Sequence, residues 1–366
     1  MTGGSMIIVR KSDQYSGGTV RSNKVRRFSR TRSGIFAAAV AAFALVMLAK
    51  IPAAEPPPVG PTLWPAPSPE VKIEYPEGVE ALLDLTYSTA GGYRPLTLDL
   101  YRVKGASASR PAVIYIHGGG FAGGTSRMAA PVWGALDKLA AHIAAHGYVV
   151  ASINYRLSAE AKFPAQLQDA KAAIRWIRAN AERYGVDPNR IAVWGESVGG
   201  SLAALVGTTC SAPDLEGTGG NADQSSCAQV VVDWYGVTDM SQLDAQAPPN
   251  ATLVHNSPDS TQSQVLGCVL HFQCPASVVG RANPIAYIDS KTTARAFLIL
   301  HGDSDTAVSW KQSQIFYDAL KAKGIPAEFE LLKGVNHSFV GATREQGEHI
   351  LDVTFAFLSD HLAGGR

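Results

Sequence analysis

Short, almost continuously apolar runs recur along the chain from residue 112 onwards. In chain order they are AVIYIHGGG, YVVASINY, RIAVWGES, QVVVDWYG, AFLILHGDSD and AEFELLKG. Such runs are typical of strands covered on both faces, as in a parallel sheet. Upstream, PLTLDLYRV alternates Leu96, Leu98 and Leu100 with other residues, the period of a half-buried strand, and ALLDLTYST precedes it. We therefore predict an antiparallel strand pair at one edge of the sheet.

Helical periodicity separates several of these runs. Leu167, Ala170 and Ile174 recur at i, i+3 and i+7, as on one face of an amphipathic helix. Three such helices are predicted, at residues 165–183, 311–323 and 345–362. Alternating strands and helices predict an α/β fold with a mostly parallel sheet of about eight strands and helices on both faces. Residues 239–284 lack strong periodicity and are predicted to form an excursion over the top of the sheet.

The N-terminal part has a different composition. A basic stretch at residues 10–32 precedes an uncharged apolar segment at 34–49, and small and proline residues follow. This order predicts a secretory signal peptide at residues 1–54, cleaved after Ala53 or Ala54. Two alternatives stay open: an uncleaved membrane anchor, and a segment that is neither a signal peptide nor an anchor. The basic stretch is long for a signal peptide, and the apolar segment is short for a membrane-spanning helix. A proline-rich linker at 55–70 and a catalytic domain at 71–366 complete the predicted organisation.

The four cysteines agree with an exported protein, periplasmic or secreted. Cys210, Cys227, Cys268 and Cys274 all lie in loop-like segments of the predicted domain. An even number in an exported chain indicates two disulfides, with three possible connectivities. Pairing of neighbours along the chain is the simplest, and four buried free thiols are the alternative. The absence of a C-x-x-C motif argues against a metal site.

Charge gives no sign of a nucleic-acid partner. The 366 residues contain 32 basic and 31 acidic side chains, for a formal net charge of +1. Binding to a polyanion would call for a basic excess in the folded part, so a small-molecule substrate is the expected partner. The sequence does not indicate the oligomeric state.

The stretch GESVG brings a serine to the end of a predicted strand, directly before a helix. Gly195 and Gly199 flank Ser197 at a distance of two residues. Residues with almost no side chain permit the sharp strand-to-helix turn that exposes a nucleophilic serine. The first amides of the following helix point towards that serine. Ser197 is therefore the candidate nucleophile, and Val198 a candidate amide donor.

A glycine run follows another strand, in the sequence HGGGF. Its backbone can approach a developing oxyanion without interference from side chains, and its N–H groups would stabilise the negative charge. No Lys-Ser or Lys-Thr pair follows, which excludes a phosphate-binding P-loop. A simple tight turn is the structural alternative. We interpret His117 as a core histidine that holds this glycine loop.

Two later strand ends carry the remaining candidates. HGDSD supplies Asp305, and GVNHSF supplies His337, so the chain order is serine, acid, histidine. His337 would accept the serine proton, and Asp305 would fix the tautomer of the imidazole. Asp303 competes for the role of acid, and His301 is interpreted as structural. The other six histidines are interpreted as surface residues.

Together these motifs resemble those of the α/β-hydrolase esterases. The resemblance is to the hormone-sensitive-lipase-like and the acetyl- or feruloyl-esterase-like bacterial carboxylesterases, and it covers residues 96–362. It implies that Gly118, Gly119 and Val198 supply oxyanion amides, with Gly120 shaping the loop. It also implies a structural role for the carboxylate of Asp169.

The chain departs from this family pattern at two places. Residues 71–89 are too short for the helical cap of lipase-like relatives, which favours short-chain or bulky aromatic-acid esters over long triglycerides. An insertion at 209–229 lies outside the common core. The expected activity is that of a serine carboxylesterase needing no metal or cofactor. The alternatives are an amide-cleaving relative, such as an aryl formamidase or a peptidase-like enzyme, and an inactive binding protein.

Overall fold

The computed structural model describes residues 75–362, except 90–91, 106–108, 129–135, 211, 290–291 and 293. The predicted signal or anchor at 1–54 and the predicted linker at 55–70 lie outside the described residues.

Eight strands form one sheet in the described part of the chain. They are β1 (Val79–Ser88), β2 (Leu96–Val103), β3 (Arg110–Ile116), β4 (Val149–Ile153), β5 (Val186–Glu196), β6 (Val230–Trp234), β7 (Ala296–Gly302) and β8 (Ala327–Leu332). Their order across the sheet is β1-β2-β4-β3-β5-β6-β7-β8. β1 pairs with β2, and β2 with β4, in antiparallel fashion. All other neighbours are parallel, so the predicted sheet and its antiparallel edge are confirmed.

Nine α-helices accompany the sheet within the described ranges. They are α1 (Leu136–Ala145), α2 (Ala165–Ala179), α3 (Ala181–Tyr184), α4 (Val198–Thr208), α5 (Leu243–Gln246), α6 (Thr261–Leu266), α7 (Ala276–Arg281), α8 (Lys311–Ala322) and α9 (Arg344–Leu362). None of the helices found there is long and apolar enough to cross a membrane.

The predicted helix at 165–183 is interrupted. Asn180 leaves the helical conformation, and its side-chain amide donates to the Trp176 carbonyl at 2.9 Å. Asparagine competes in this way with the helical backbone, which is why it favours helix ends. Gly185, at φ 71°, then ends α3 in the left-handed conformation that glycine adopts without strain.

The two faces of the sheet carry separate hydrophobic cores. Val113 and Tyr115 of β3 belong to the core beneath α1 and α9, whereas Ile114 and Ile116 belong to the core beneath α2, α4 and α8. Successive strand residues point to opposite faces, so a strand covered on both sides must be apolar at every position. The prediction of helices on both faces is confirmed.

The parallel strands all end at one edge of the sheet, where the candidate chemistry lies. In open α/β sheets ligands bind at the carboxyl ends of the strands. The excursion at 239–284 leaves this edge after β6 and contains α5, α6 and α7. A disulfide joins Cys268 to Cys274 directly after α6, with their Cα atoms 5.1 Å apart.

Candidate active site

Ser197 stands at a sharp turn between β5 and α4. Its backbone has φ 54° and ψ −125°, a conformation that non-glycine residues rarely adopt. Two hydrogen bonds fix the turn: the Ser197 N–H donates to the Trp234 carbonyl at 2.8 Å, and the Ser197 carbonyl accepts from the Ser201 N–H at 3.1 Å. The structure therefore has the strand, strained turn and helix that the motif predicts.

The structure brings His337 and Asp305 to this serine. His337 Nε2 lies 3.0 Å from Ser197 Oγ, and His337 Nδ1 lies 2.7 Å from Asp305 Oδ2. Because Nδ1 faces a carboxylate, it carries the proton, and Nε2 is left as the acceptor for the serine hydroxyl. The three side chains are thus joined in the order serine, histidine, acid, although they are far apart in the sequence.

Asp305 is buried and fully hydrogen-bonded. Oδ1 accepts from the backbone N–H groups of Ala307 and Val308, each at 2.8 Å, while Oδ2 faces His337 and, at 3.1 Å, His301 Nε2. Burial alone would raise the pKa of Asp305, but its hydrogen bonds to the two histidines outweigh burial and hold the pKa well below its usual range. Asp305 is therefore ionised at neutral pH.

His301 has a definite tautomer. Its Nε2 lies between two acceptors, Asp305 Oδ2 and the Val308 carbonyl at 2.9 Å, so Nε2 carries the proton. The Ser313 hydroxyl lies 2.7 Å from Nδ1. The sequence indicated a structural histidine here but gave no sign that it contacts the acid.

Asp303 occupies a different place. It is exposed, and one of its oxygens accepts from the Ser304 hydroxyl at 2.8 Å and from the Gly334 N–H at 2.7 Å. A residue that sequence reasoning missed, Asn336, links the loop of the acid to that of His337. Its side-chain oxygen accepts from the N–H groups of Thr306 at 2.9 Å and of His337 at 2.7 Å.

The glycine loop after β3 lies directly beside the nucleophile. A Cβ atom on Gly118 would lie 3.2 Å from Ser197 Cβ, closer than most Cβ contacts, so the absence of a side chain favours this close approach. Among the described residues, the backbone N–H groups of Gly118, Gly119, Gly120 and Val198 have no hydrogen-bond acceptor. All four residues line the cavity beside Ser197.

His117 supports that loop from below, as the sequence predicted. Its Nδ1 donates to the Gly118 carbonyl at 2.7 Å, and its ring stacks on Tyr155 with 4.4 Å between ring centroids. Burial lowers the pKa of His117 to about 4, so the ring is neutral at physiological pH. The Tyr155 hydroxyl donates to the His117 carbonyl at 3.0 Å.

A cavity of about 510 Å³ opens above these groups, and both Ser197 and His337 line it. This volume is within the usual range for a small-molecule site. Most of the lining is apolar, including Met128, Val237 and Val308. The described residues contain no group of three or more His, Cys, Asp or Glu side chains arranged to hold a metal ion.

The excursion provides one wall of the cavity, and the sequence did not predict which residues form it. They are Leu253, His255, Thr261 and Gln262. The sequence predicts a surface histidine at His255, but only 3% of its surface is exposed. The prediction is wrong because residues 239–284 fold back over the site and cover the His255 ring.

The insertion at 209–229 is fastened to α2. Cys210 forms a disulfide with Cys227, with 5.0 Å between their Cα atoms. The buried Lys171 donates to the Thr209 carbonyl at 2.7 Å, and Arg175 donates to other carbonyls of the insertion. None of the insertion's described residues lines the cavity. The two disulfides follow the simplest connectivity considered from the sequence.

Asp169 makes structural contacts, as its family resemblance implied. Its carboxylate accepts from the Arg156 backbone N–H at 2.9 Å and from the Arg156 guanidinium at 2.7 Å. Burial raises the pKa of Asp169, and the Arg156 contacts oppose that rise.

Known proteins resemble this chain in sequence. The profile of the BD-FAE family matches residues 98–320, more than half of the chain. Esterase LipQ of Mycobacterium tuberculosis is 29% identical over 285 residues, covering 75% of this chain and 61% of that protein. An ethyl acetate hydrolase of Pseudomonas putida is 28% identical over 300 residues, covering 77% of this chain and 84% of that protein.

Solved structures of esterases have a similar fold. A truncated carbohydrate esterase from gut microbiota superposes with a TM-score of 0.63 and 27% identity, over 78% of this chain and 97% of that one. The chain spans only 56–61% of the length of three mycobacterial relatives.

Proposed function

Because this chain belongs to the BD-FAE family of α/β hydrolases, we propose that it is a serine carboxylesterase that works through an acyl-enzyme. The observation that carries the proposal is the continuous hydrogen-bonded path from Ser197 through His337 to Asp305, at 3.0 and 2.7 Å, beside an open cavity. The relatives named esterases and the ethyl acetate hydrolase support this class of reaction.

In the first step, Ser197 Oγ attacks the carbonyl carbon of the ester while His337 Nε2 accepts the hydroxyl proton. The carbonyl π electrons move to the oxygen, and a tetrahedral oxyanion forms. The Asp305 carboxylate stabilises the imidazolium through Nδ1–H without taking its proton. The low pKa of Asp305 supports this role, because the residue keeps its negative charge throughout the cycle.

The oxyanion would be stabilised by backbone N–H groups of Gly118, Gly119 and Val198. Each such donor typically contributes about 3–4 kcal/mol to the lowering of the barrier. When the intermediate collapses, the alkoxide leaves and takes the proton from His337 Nε2. Water then attacks the acyl carbon while His337 Nε2 takes one of its protons. The second tetrahedral intermediate collapses, the bond between the acyl carbon and Ser197 Oγ breaks, and Oγ receives the proton from His337 as the carboxylic acid is released.

The preferred substrates are short-chain or aromatic-acid esters. An open cavity of about 510 Å³ with mostly apolar walls supports this preference. The two disulfides support an extracytoplasmic location, periplasmic or secreted, because thiols stay reduced in the cytosol.

A series of p-nitrophenyl esters from acetate to decanoate, with methyl ferulate and an aryl formamide added, tests this function. The wild type is compared with Ser197→Ala, which removes one oxygen atom from the site. We expect ester turnover that is highest for short or aromatic acyl groups and is lost in the variant. Faster cleavage of the formamide than of every ester would favour the amide-cleaving alternative, and equal ester turnover by the variant would refute the mechanism.

A further inference from the structure

His255 is a buried histidine on the cavity wall that the proposed reaction does not use. It lies on the excursion and lines the same cavity as Ser197. Its backbone N–H donates to Asp244 Oδ1 at 2.9 Å, and its Nδ1 lies 3.1 Å from the same oxygen. Asp244, in α5, thus holds both the backbone and the ring of His255 in place.

The other ring nitrogen of His255 has no such contact. Nε2 is buried and has no hydrogen-bond partner among the described residues. Buried polar groups are normally hydrogen-bonded, and an unsatisfied one calls for an explanation. Nδ1 faces Asp244 and the residue lines the cavity, so Nε2 is the ring nitrogen left without a partner at this wall among the described residues.

The pairing with Asp244 determines what kind of group that is. A carboxylate oxygen facing Nδ1 favours the tautomer with its proton on Nδ1, and in that tautomer Nε2 is an acceptor. Its natural partner is a hydrogen-bond donor. Gln262, buried on the same wall, adds a side-chain NH₂ group that has no acceptor among the described residues. The wall therefore offers both an acceptor and a donor, the combination that suits a hydroxyl group.

We propose that the His255–Asp244 pair is a specificity site for a hydroxyl group of the substrate, whose O–H donates to His255 Nε2. The inference rests on the proposed esterase function, since the hydroxyl must belong to an ester held at Ser197. The hydroxyl can come from the acyl part, as in a hydroxy acid, or from the alcohol part, as in a polyol ester. Leu253 makes part of the same wall apolar, and an ester without a hydroxyl group would leave Nε2 unpaired.

The test uses two pairs of esters that differ by hydroxyl groups. In the acyl arm, p-nitrophenyl β-hydroxybutyrate is compared with p-nitrophenyl butyrate. In the alcohol arm, glycerol monobutyrate is compared with propyl butyrate by titration of the released acid. For each arm the hydroxyl preference is the kcat/KM of the hydroxylated ester divided by that of the plain one.

We expect His255→Leu to lower the hydroxyl preference about three- to tenfold in one arm, the size of effect typical of a single hydrogen bond. The arm that responds identifies the source of the hydroxyl. His255→Gln, whose side-chain oxygen can still accept, should restore part of the preference. Because the preference is a ratio, it cancels any effect of the variants on steps common to both esters.

The matched control is His271→Asn, which removes an exposed histidine from the same excursion. His271 has φ 66°, a conformation that asparagine tolerates, so this variant should keep the wild-type preference. Preferences that stay at the wild-type value in His255→Leu would overturn the hydroxyl site while leaving the esterase function intact. Absence of turnover of the plain esters by the wild type would instead overturn the esterase function, and the hydroxyl site with it. If His255→Leu does not fold, Asp244→Ala replaces it after a thermal-melting check. This variant removes the oxygen that faces His255 Nδ1 and should lower the same hydroxyl preference.

Discussion

Replacing Asp305 by asparagine tests the assignment of the acid, because every hydrogen bond of this side chain is accounted for. Four N–H groups face its carboxylate, two at each oxygen: Ala307 and Val308 at Oδ1, and the two histidines at Oδ2. An asparagine has one oxygen and one NH₂ group. Whichever way the amide is turned, two of the four donors then face another donor.

Each orientation has a definite cost. With NH₂ towards His337, the ring must place its proton on Nε2 and can no longer accept the serine proton. In a trypsin-type triad the same exchange lowers kcat by about 10⁴ for this reason. With NH₂ towards Ala307 and Val308, the tautomer survives but two buried backbone bonds are lost. We expect kcat/KM to fall by about 10²–10⁴, a rise in barrier of about 3–5 kcal/mol, and stability to fall by about 2–4 kcal/mol.

Asp303→Asn is the matched control. Both hydrogen bonds of Asp303 go to one oxygen, which asparagine retains, and the residue is exposed. Its kcat/KM on p-nitrophenyl acetate should stay close to that of the wild type, and its urea midpoint should shift little. A larger loss of activity in Asp303→Asn than in Asp305→Asn would refute the reasoning and transfer the role of acid.

Three further perturbations have defined outcomes. Gly119→Ala should lower kcat about 10²–10³-fold, because φ 103° and the nearby Gly123 backbone leave no room for a Cβ without moving the oxyanion loop; an unchanged kcat on p-nitrophenyl acetate would contradict this. Burial raises the pKa of Asp233 to about 7. The native state therefore keeps a proton that the unfolded chain releases above about pH 4, so stability falls as pH rises from about 4 to 7, by up to about 4 kcal/mol. In urea unfolding, the stability of Asp233→Asn should fall less over that pH range than the stability of the wild type. Parallel stability–pH profiles for the two proteins would count against the raised pKa of Asp233. The double variant Cys210→Ser, Cys227→Ser should lower the free energy of unfolding by about 3 kcal/mol, because the disulfide closes a loop with a sequence separation of 17 residues. An unaltered melting curve would contradict this expectation.

The fold was predictable because its signal is local. A strand covered on both faces must be apolar at consecutive positions, and β3 shows this in its division between two cores. The site could be predicted for a related reason. Parallel strands end at one edge of the sheet, and the residues that follow them are therefore brought together. Ser197, Asp305 and His337 all follow such strands.

The remaining contacts depend on tertiary structure that the sequence pattern does not contain. His301 contacts Asp305 only because the chain turns sharply after β7, and Asn336 contacts Thr306 across two loops. His255 lies in a segment without periodicity, so nothing in the local sequence indicated that it would be covered. The interruption of the predicted helix at Asn180 could not be predicted either, because helix propensity alone does not determine where a helix ends.

The central claim is that Ser197 is a nucleophile activated by His337. Labelling with a fluorophosphonate probe, followed by peptide mapping of the adduct, tests it most directly, with ester hydrolysis followed in the same sample. We expect a single adduct on Ser197, formed in step with the loss of hydrolysis and greatly slowed in His337→Ala. Hydrolysis that persists while Ser197 is fully labelled, or that is lost through an adduct on another residue with Ser197 unmodified, would contradict the claim.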